Sequence, residues 1–403
     1  MNGKDNYLII KKMNKMPRSD RLEIIKKLEK LRGSRVITYV TGDRHPAIAY
    51  QISDDAIRVL YRHLVSLTSE EAKTAKVDLF LYTRGGMLVA PPRIVRLIRE
   101  FAKEFYTLIP YRAHSAGTLL CLGSDGIVMG RMGELSPIDP STSNPYNPPA
   151  APGDPRNPLT KIPISVEDVE AYMTLARDMA GLVSEQQKIE VFRALTGRYE
   201  PLALGNVQRV YNLIRSLTPE LLAFQLKTTE EKIKIPEITK ALTETYTHDH
   251  LICRDSAEQM GLKIIKPEKE LEIEMWNLYE AYERDLQLRE IFDPEAIIGN
   301  QESVSVSYDV AFIESVSRGD VFSIGVEVTR PPPQQIIMSP FMQQIRPPAP
   351  APQPSTSEPR PSPSTPTQLP QPQPASRLPQ VPMEFTVKLK PKGWTQIVEE
   401  HRE

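Results

Sequence analysis

Between Val36 and Met129 the chain alternates apolar strands with amphipathic helices, and that rhythm constrains the fold more than any other feature. Val36–Val40, Val77–Tyr82, Tyr106–Tyr111 and Gly126–Met129 read as strands. A helix capped by Ser53, with the stripe Ile57, Leu60, Tyr61, Leu64 and Val65, follows the first of them. Helices from about Pro91 to Phe105 and over Thr118–Leu122 follow the next two. Short continuous apolar strands separated by helices predict parallel βα units with both faces of the sheet covered. Outside this block, RSDRLEIIKKLEKLR (residues 18–32) spaces Leu22, Ile25, Leu28 and Leu31 as one helix face, with Gly33 as its stop. Residues 165–225 read as mostly helical, opening on the capping pattern Ser165-x-x-Asp168, and 266–290 read as one charged helix containing Trp276. From 303 to 328 the pattern alternates and turns at Arg318-Gly319-Asp320, which predicts a β-hairpin.

Proline limits where this fold can lie. Eighteen of the 38 prolines fall between Pro331 and Met383, in a stretch built largely from Pro, Gln, Ser and Thr. Such a segment cannot bury enough apolar area to offset the entropy of ordering, so disorder with polyproline II character is expected there. The cluster Pro137–Pro163 reads as a long surface loop, and Met383–Glu403, which regains Phe385, Val387, Leu389, Trp394 and Ile397, as a docking tail. Fifty basic residues against 51 acidic ones leave a formal charge of −1. That removes the electrostatic case for nucleic-acid or anionic-membrane binding. Two cysteines, Cys121 and Cys253, make neither a disulfide framework nor a zinc ribbon, and no metal-site spacing or cofactor-binding loop occurs. No apolar run reaches transmembrane length and the N-terminus lacks a signal-peptide pattern, so a cytoplasmic location without cofactor or metal is expected.

Two turns carry candidate chemistry. In Thr83-Arg84-Gly85-Gly86-Met87 a diglycine follows a buried strand, which permits positive φ and lets backbone N–H groups face a ligand. In Tyr111-Arg112-Ala113-His114-Ser115-Ala116-Gly117 a strand ends on a small hydroxyl residue at a helix start. Together they offer a nucleophile and an oxyanion hole. Each alone is an ordinary turn and an ordinary helix cap.

Their order, with Ser115 about 29 residues after Gly86 and followed by AGTLLCLGSDGIVMGRMGELSPIDP, resembles the Clp/crotonase superfamily. More narrowly, with Pro201–Val207, Thr247-His248-Asp249 and the Ala257–Gly261 helix end, it resembles the serine dehydrogenase proteinase family, related to Clp protease and signal peptide peptidase A. The resemblance implies an α/β fold of Clp/crotonase type, a ββα superhelix core with a mostly parallel sheet plus helical additions. On that reading 1–34 is an N-terminal helical segment, 35–265 the serine protease domain and 266–330 a helix-plus-hairpin extension. A proline-rich linker over 331–383 and a tail motif over 384–403 complete the chain. The resemblance further implies Ser115 as nucleophile, His248 as base, Asp139 as the orienting acid, and the amides of Gly85 or Gly86 and of Ala116 as the oxyanion hole. It also implies a polypeptide substrate and an assembly of identical chains. Relatives usually place proline before the two glycines; Arg84 stands there instead and sets a cation beside the groove.

Other residues compete for these roles. His250 lies two positions from His248, and Asp249 rivals Asp139. His114 should point away from Ser115 as a structural neighbour, His45 sits in a polar loop, and Cys121 reads as a small core residue. Lys161, among Leu159, Ile162 and Ile164, offers a Ser–Lys dyad if burial lowers its pKa. Two further readings are an acyl-CoA enzyme of crotonase type, using the same amides on a thioester enolate, and a non-catalytic Clp-like scaffold. The scaffold would display PxxP-like pieces such as Pro359-Arg360-Pro361-Ser362-Pro363 to a partner.

Overall fold

The computed structural model describes residues 16–45, 48–67, 74–138, 141–142, 146–148, 161–162, 164–244, 250–330 and 386–397. Their strands are β1 (Arg35–Thr41), β2 (Thr74–Tyr82), β3 (Ala102–Ile109), β4 (Arg112–Ala113), β5 (Gly126–Met129), β6 (Glu134–Leu135), β7 (Ser141–Thr142), β8 (Ile164–Ser165), β9 (Ile252–Cys253), β10 (Ile264–Ile265), β11 (Ser303–Glu314), β12 (Gly319–Thr329) and β13 (Thr386–Gln396). The main sheet runs β10-β5-β3-β2-β1-β11-β12-β13. Pairs from β10 to β1 are parallel, with Val36 opposite Asp78 and Phe80 opposite Leu108, whereas β1 meets β11 antiparallel, with Thr38 opposite Glu314. This is the mixed, mostly parallel α/β architecture that the strand–helix rhythm predicts.

Side chains alternate across each strand, so every central strand feeds two cores. Ile37, Tyr39, Leu79, Leu81, Phe105 and Ile127 face helices Asp55–Leu67, Ala90–Phe101 and Ala116–Leu122. Val36, Val40, Phe80, Tyr82, Leu108 and Val128 face helices Arg18–Arg32 and Lys269–Asp285. Each of these wholly buried aliphatic or aromatic side chains stabilises the fold by roughly 1.5–3 kcal/mol. The helix Arg18–Arg32 ends where expected, on Gly33 at φ 58°.

The hairpin does not stand apart from the parallel strands. β11 lies directly on β1, and a buried charge cluster fixes helix Arg18–Arg32 against it. Arg21 donates Nε to Glu314 Oε2 at 2.7 Å and Nη2 to Oε1 at 2.9 Å, and Nη1 to Asp285. Tyr282 adds a hydroxyl donor to Glu314 at 2.6 Å. The stretch after Ser165 is mostly helical, as its pattern predicts, and comes in several pieces. Ser165 caps Val166–Thr174 by accepting from the Asp168 amide, a π-turn spans Leu175–Met179, and helices Glu185–Thr196 and Pro201–Gln225 follow. The C-terminal tail adds β13 to the sheet edge beside β12. The proline-rich stretch 331–383 lies outside the described residues. Among the described residues no helix is long and apolar enough to cross a membrane, and no cluster of His, Cys, Asp and Glu suits a metal ion.

Candidate active site

β2 and β4 deliver the two turns to one place. The Thr83 amide donates to the Arg112 carbonyl at 2.9 Å and the His114 amide to the Thr83 carbonyl at 3.1 Å, so the chain segments leading into Gly85 and Ser115 run side by side. Gly85 has φ 112° and Gly86 φ 152°, both costly for any side chain. A Cβ on Gly85 would sit 2.9 Å from Ser115 Cβ, which places the glycine turn against the serine. A Cβ on Gly86 would sit 2.3 Å from the Ile52 carbonyl oxygen, because the 50–52 segment clasps this turn. There the Ile52 amide donates to the Gly85 carbonyl and the Met87 amide to the Ile52 carbonyl, each at 2.8 Å.

Ser115 caps helix Ala116–Leu122 with φ 52° and ψ −112°, a conformation that costs a side-chain-bearing residue about 1–3 kcal/mol. The surroundings hold it there. Its amide donates to Ser136 Oγ at 2.8 Å, and that hydroxyl donates to the Pro137 carbonyl at 2.9 Å. Thr118 Oγ1 binds the Ala113 and Ser136 carbonyls at 2.8 and 2.9 Å and accepts the Ser136 amide at 3.1 Å. Ser115 stays 9% exposed. The Gly85 amide is engaged by Thr83 Oγ1 at 3.0 Å. Among the described residues, by contrast, no partner engages the amides of Gly86 and Ala116 or the Ser115 hydroxyl.

Charges ring the turn. Arg84 Nε lies 2.5 Å from Asp43 Oδ2, Tyr82 donates to Asp43 Oδ1 at 3.0 Å, and Arg112 Nε donates to Glu134 Oε1 at 2.9 Å. His114 Nε2 lies 3.1 Å from Glu134 Oε1. Burial alone would raise the Glu134 carboxyl, but His114 and Arg112 outweigh it and hold it below the usual carboxylate range. The Arg84 cation is thus neutralised by Asp43 while remaining half exposed.

Asp139, His248 and Asp249 lie outside the described residues, but the chain on either side of them is placed. The Ile138 amide donates to the Leu242 carbonyl at 2.8 Å, and Leu135 pairs with Ile252 between β6 and β9. The segment that grips Ser115 therefore also grips the chain before and after residues 245–249. Lys161 is half-buried, and its neighbour Ile162 is tied to 146–148, donating to the Pro148 carbonyl at 2.7 Å. No contact among the described residues joins Lys161 to Ser115. His250 is exposed and His45 stacks on Phe292 at 5.1 Å between ring centres. Cys121 is core, with burial pushing its thiol up to about 12.

One constellation escapes a reading of the sequence. His63 Nδ1 lies 2.8 Å from Ser315 Oγ and Nε2 3.0 Å from Asp320 Oδ2, a buried Ser–His–Asp set. All three side chains are enclosed, so no substrate reaches them, and they bind the hairpin turn to helix Asp55–Leu67. The only signal was a histidine on that helix's apolar stripe, between Leu60 and Leu64.

A serine on a strained strand-to-helix turn is thus set against a diglycine turn on a mostly parallel sheet. Residues 6–152 are similar to the family of ClpP-like SDH-type serine proteinases. An uncharacterized protein of Methanocaldococcus jannaschii is 26% identical over 280 residues, 67% of this chain and 80% of its own length. A second uncharacterized protein of that organism is 29% identical over 115 residues, 27% of this chain and 38% of its own. Among solved structures, a mutant of the 1510-N membrane-bound stomatin-specific protease aligns with 14% identity and a TM-score of 0.33, over 59% of this chain and 80% of its own.

Proposed function

We propose that this chain is a serine endopeptidase that cleaves extended polypeptide. Ser115 Oγ attacks the scissile carbonyl, His248 accepts its proton and later returns it to the leaving amine, and Asp139 holds the imidazole in the useful tautomer. The amides of Gly86 and Ala116 receive the developing oxyanion, with Gly85 closing the turn against Ser115. The observation that carries this reading is the strained Ser115 elbow set on the Gly85–Gly86 turn beside two unengaged amides. The bonds from Ile138 to Leu242 and between Leu135 and Ile252 support His248 and Asp139 as its partners, since these described residues flank them in the chain. Lys161 takes no part in this account.

The same proposal includes self-assembly and action in the cytoplasm. The segment between Val166 and Gln225 leaves Met179 82%, Val183 62%, Phe192 53% and Leu202 57% exposed, which suits packing against a second copy.

Hydrolysis of a reduced, unfolded protein substrate tests the catalytic roles. Ser115→Ala and His248→Ala should each remove nearly all turnover, and the double variant little more, because residues acting as a unit are not additive. Asp139→Asn should cost less, and Lys161→Met should leave most of the rate. Loss of turnover in Lys161→Met with retention in His248→Ala would replace the triad by a lysine mechanism.

A further inference from the structure

The tail strand β13 is held to the sheet edge by little apolar burial. Most of its side chains are exposed, and only Val387, Gly393 and Trp394 are partly covered. Trp394 nevertheless makes specific contacts. Its Nε1 donates to Tyr50 OH at 3.1 Å, and its ring lies edge-on to Tyr50 and Phe322 at 5.4 and 5.6 Å between centres. Tyr50 stacks on Phe322 at 4.5 Å and bonds through its hydroxyl to Ser53 Oγ at 2.8 Å and Asp55 Oδ1 at 2.5 Å. Backbone bonds anchor the tail nearby, from the Ile397 amide to the Gly319 carbonyl at 2.9 Å.

Tyr50 stands two residues from Ile52, the residue that clasps the glycine turn. The Tyr50 amide donates to the Gly42 carbonyl at 3.0 Å, so segment 50–52 is fixed at one end by β1's exit and at the other by Gly85 and Met87. Between those ends its one large lever is the Tyr50 side chain, and Trp394 caps that lever. We propose that Trp394 is a positioning residue for the Gly85–Gly86 turn, acting through Tyr50 and Ile52. The C-terminal strand is then a working part of the site, delivered to it across the proline-rich stretch, rather than an appendage. Backbone pairing alone fixes the register of an exposed, largely polar strand only weakly, so β13 already gains an anchor in Trp394. An oxyanion turn that must hold its donors to within a fraction of an ångström gains from one.

This inference rests on Ser115 being the nucleophile, and its test separates the two. In the full chain, hydrogen exchange of the Ile52 and Met87 amides reports the clasp itself, whatever the chemistry. Trp394→Ala should speed their exchange about tenfold while amides of β2 and β3 keep their protection. Trp394→Phe, which keeps a ring against Tyr50 and Phe322, should restore most of it. Tyr50→Phe, which keeps the packing and loses the hydroxyl bonds, should fall between. The second-order rate of Ser115 modification by a fluorophosphonate should drop about tenfold in Trp394→Ala, without a shift in the pH at which it is half-maximal. Unchanged exchange at Ile52 and Met87, or faster exchange spread evenly over the sheet, would overturn the positioning role. Failure of the unaltered chain to react with the probe, with exchange behaving as stated, would overturn the nucleophile and leave the clasp standing.

Discussion

Ser115 and its hydroxyl neighbours show how one strained residue is maintained. A positive φ at a serine persists only where its backbone groups are answered, and Ser136 answers the Ser115 amide while Thr118 answers Ser136. Ser136→Ala leaves the buried Ser115 N–H without an acceptor, a loss of about 1–3 kcal/mol. Its relaxation displaces Oγ, and misplacement of that kind costs on the order of a hundredfold in rate. Thermal unfolding and peptidase turnover measured together check this: both should fall, and Ser136→Thr should recover part of each. A Ser136→Ala chain with full turnover would show that the elbow holds itself. Gly86→Ala is harsher, since its Cβ would meet the Ile52 backbone at 2.3 and 2.5 Å. It should abolish turnover while Gly205→Ala, with open space at the new Cβ, leaves turnover intact.

At the scale of elements, what the sequence makes legible is what local pattern encodes. β1, β2, β3 and β5 were readable because strands buried on both faces show continuous apolar runs, and the hairpin because its strands alternate. That the glycine turn and Ser115 each follow a strand was readable because small residues end the apolar runs before them. The placement of β11 on β1, the Arg21–Glu314–Asp285 cluster and the Trp394–Tyr50 contact were not, because each joins residues more than two hundred positions apart and no local periodicity carries that. His63 belongs with these. Asp320, ionised and accepting, fixes the proton on Nε2, so Nδ1 accepts from Ser315. Burial pushes the imidazole below its usual value even though Asp320 pulls the other way. The unfolded chain therefore takes up the proton first, near pH ~6.5, and the fold loses stability from there down to the lower pH at which the folded imidazole also titrates. Burial would raise Asp320, but His63 and Arg318 hold it low, so its own contribution is lost further down, as pH falls below about 3.9. The thermal midpoint should drop between pH 7.5 and 5, and His63→Asn should lower the midpoint at pH 7.5 while flattening that drop. An unaltered slope in the variant would assign the acid sensitivity to other groups.

For the whole molecule, the exposed apolar residues of the 166–225 helices are the feature a lone chain explains least. Burying Met179, Val183, Phe192 and Leu202 against a second copy would gain roughly 1.5–3 kcal/mol for each side chain fully covered. Two carboxylates at those positions would oppose it. Sedimentation at micromolar concentration should show an assembly for the unaltered chain and a monomer for Met179→Asp/Phe192→Asp, with folding retained. A monomer in both cases would count against self-assembly through these residues.

The central claim is that Ser115 is a nucleophile primed by its own turn. Incubation of the folded full chain with a fluorophosphonate, followed by mass-spectrometric mapping, tests it without knowledge of the physiological substrate. The account predicts a single stoichiometric adduct on Ser115, absent in His248→Ala over the same interval. A folded chain that carries no adduct, or carries it on another serine, would contradict it.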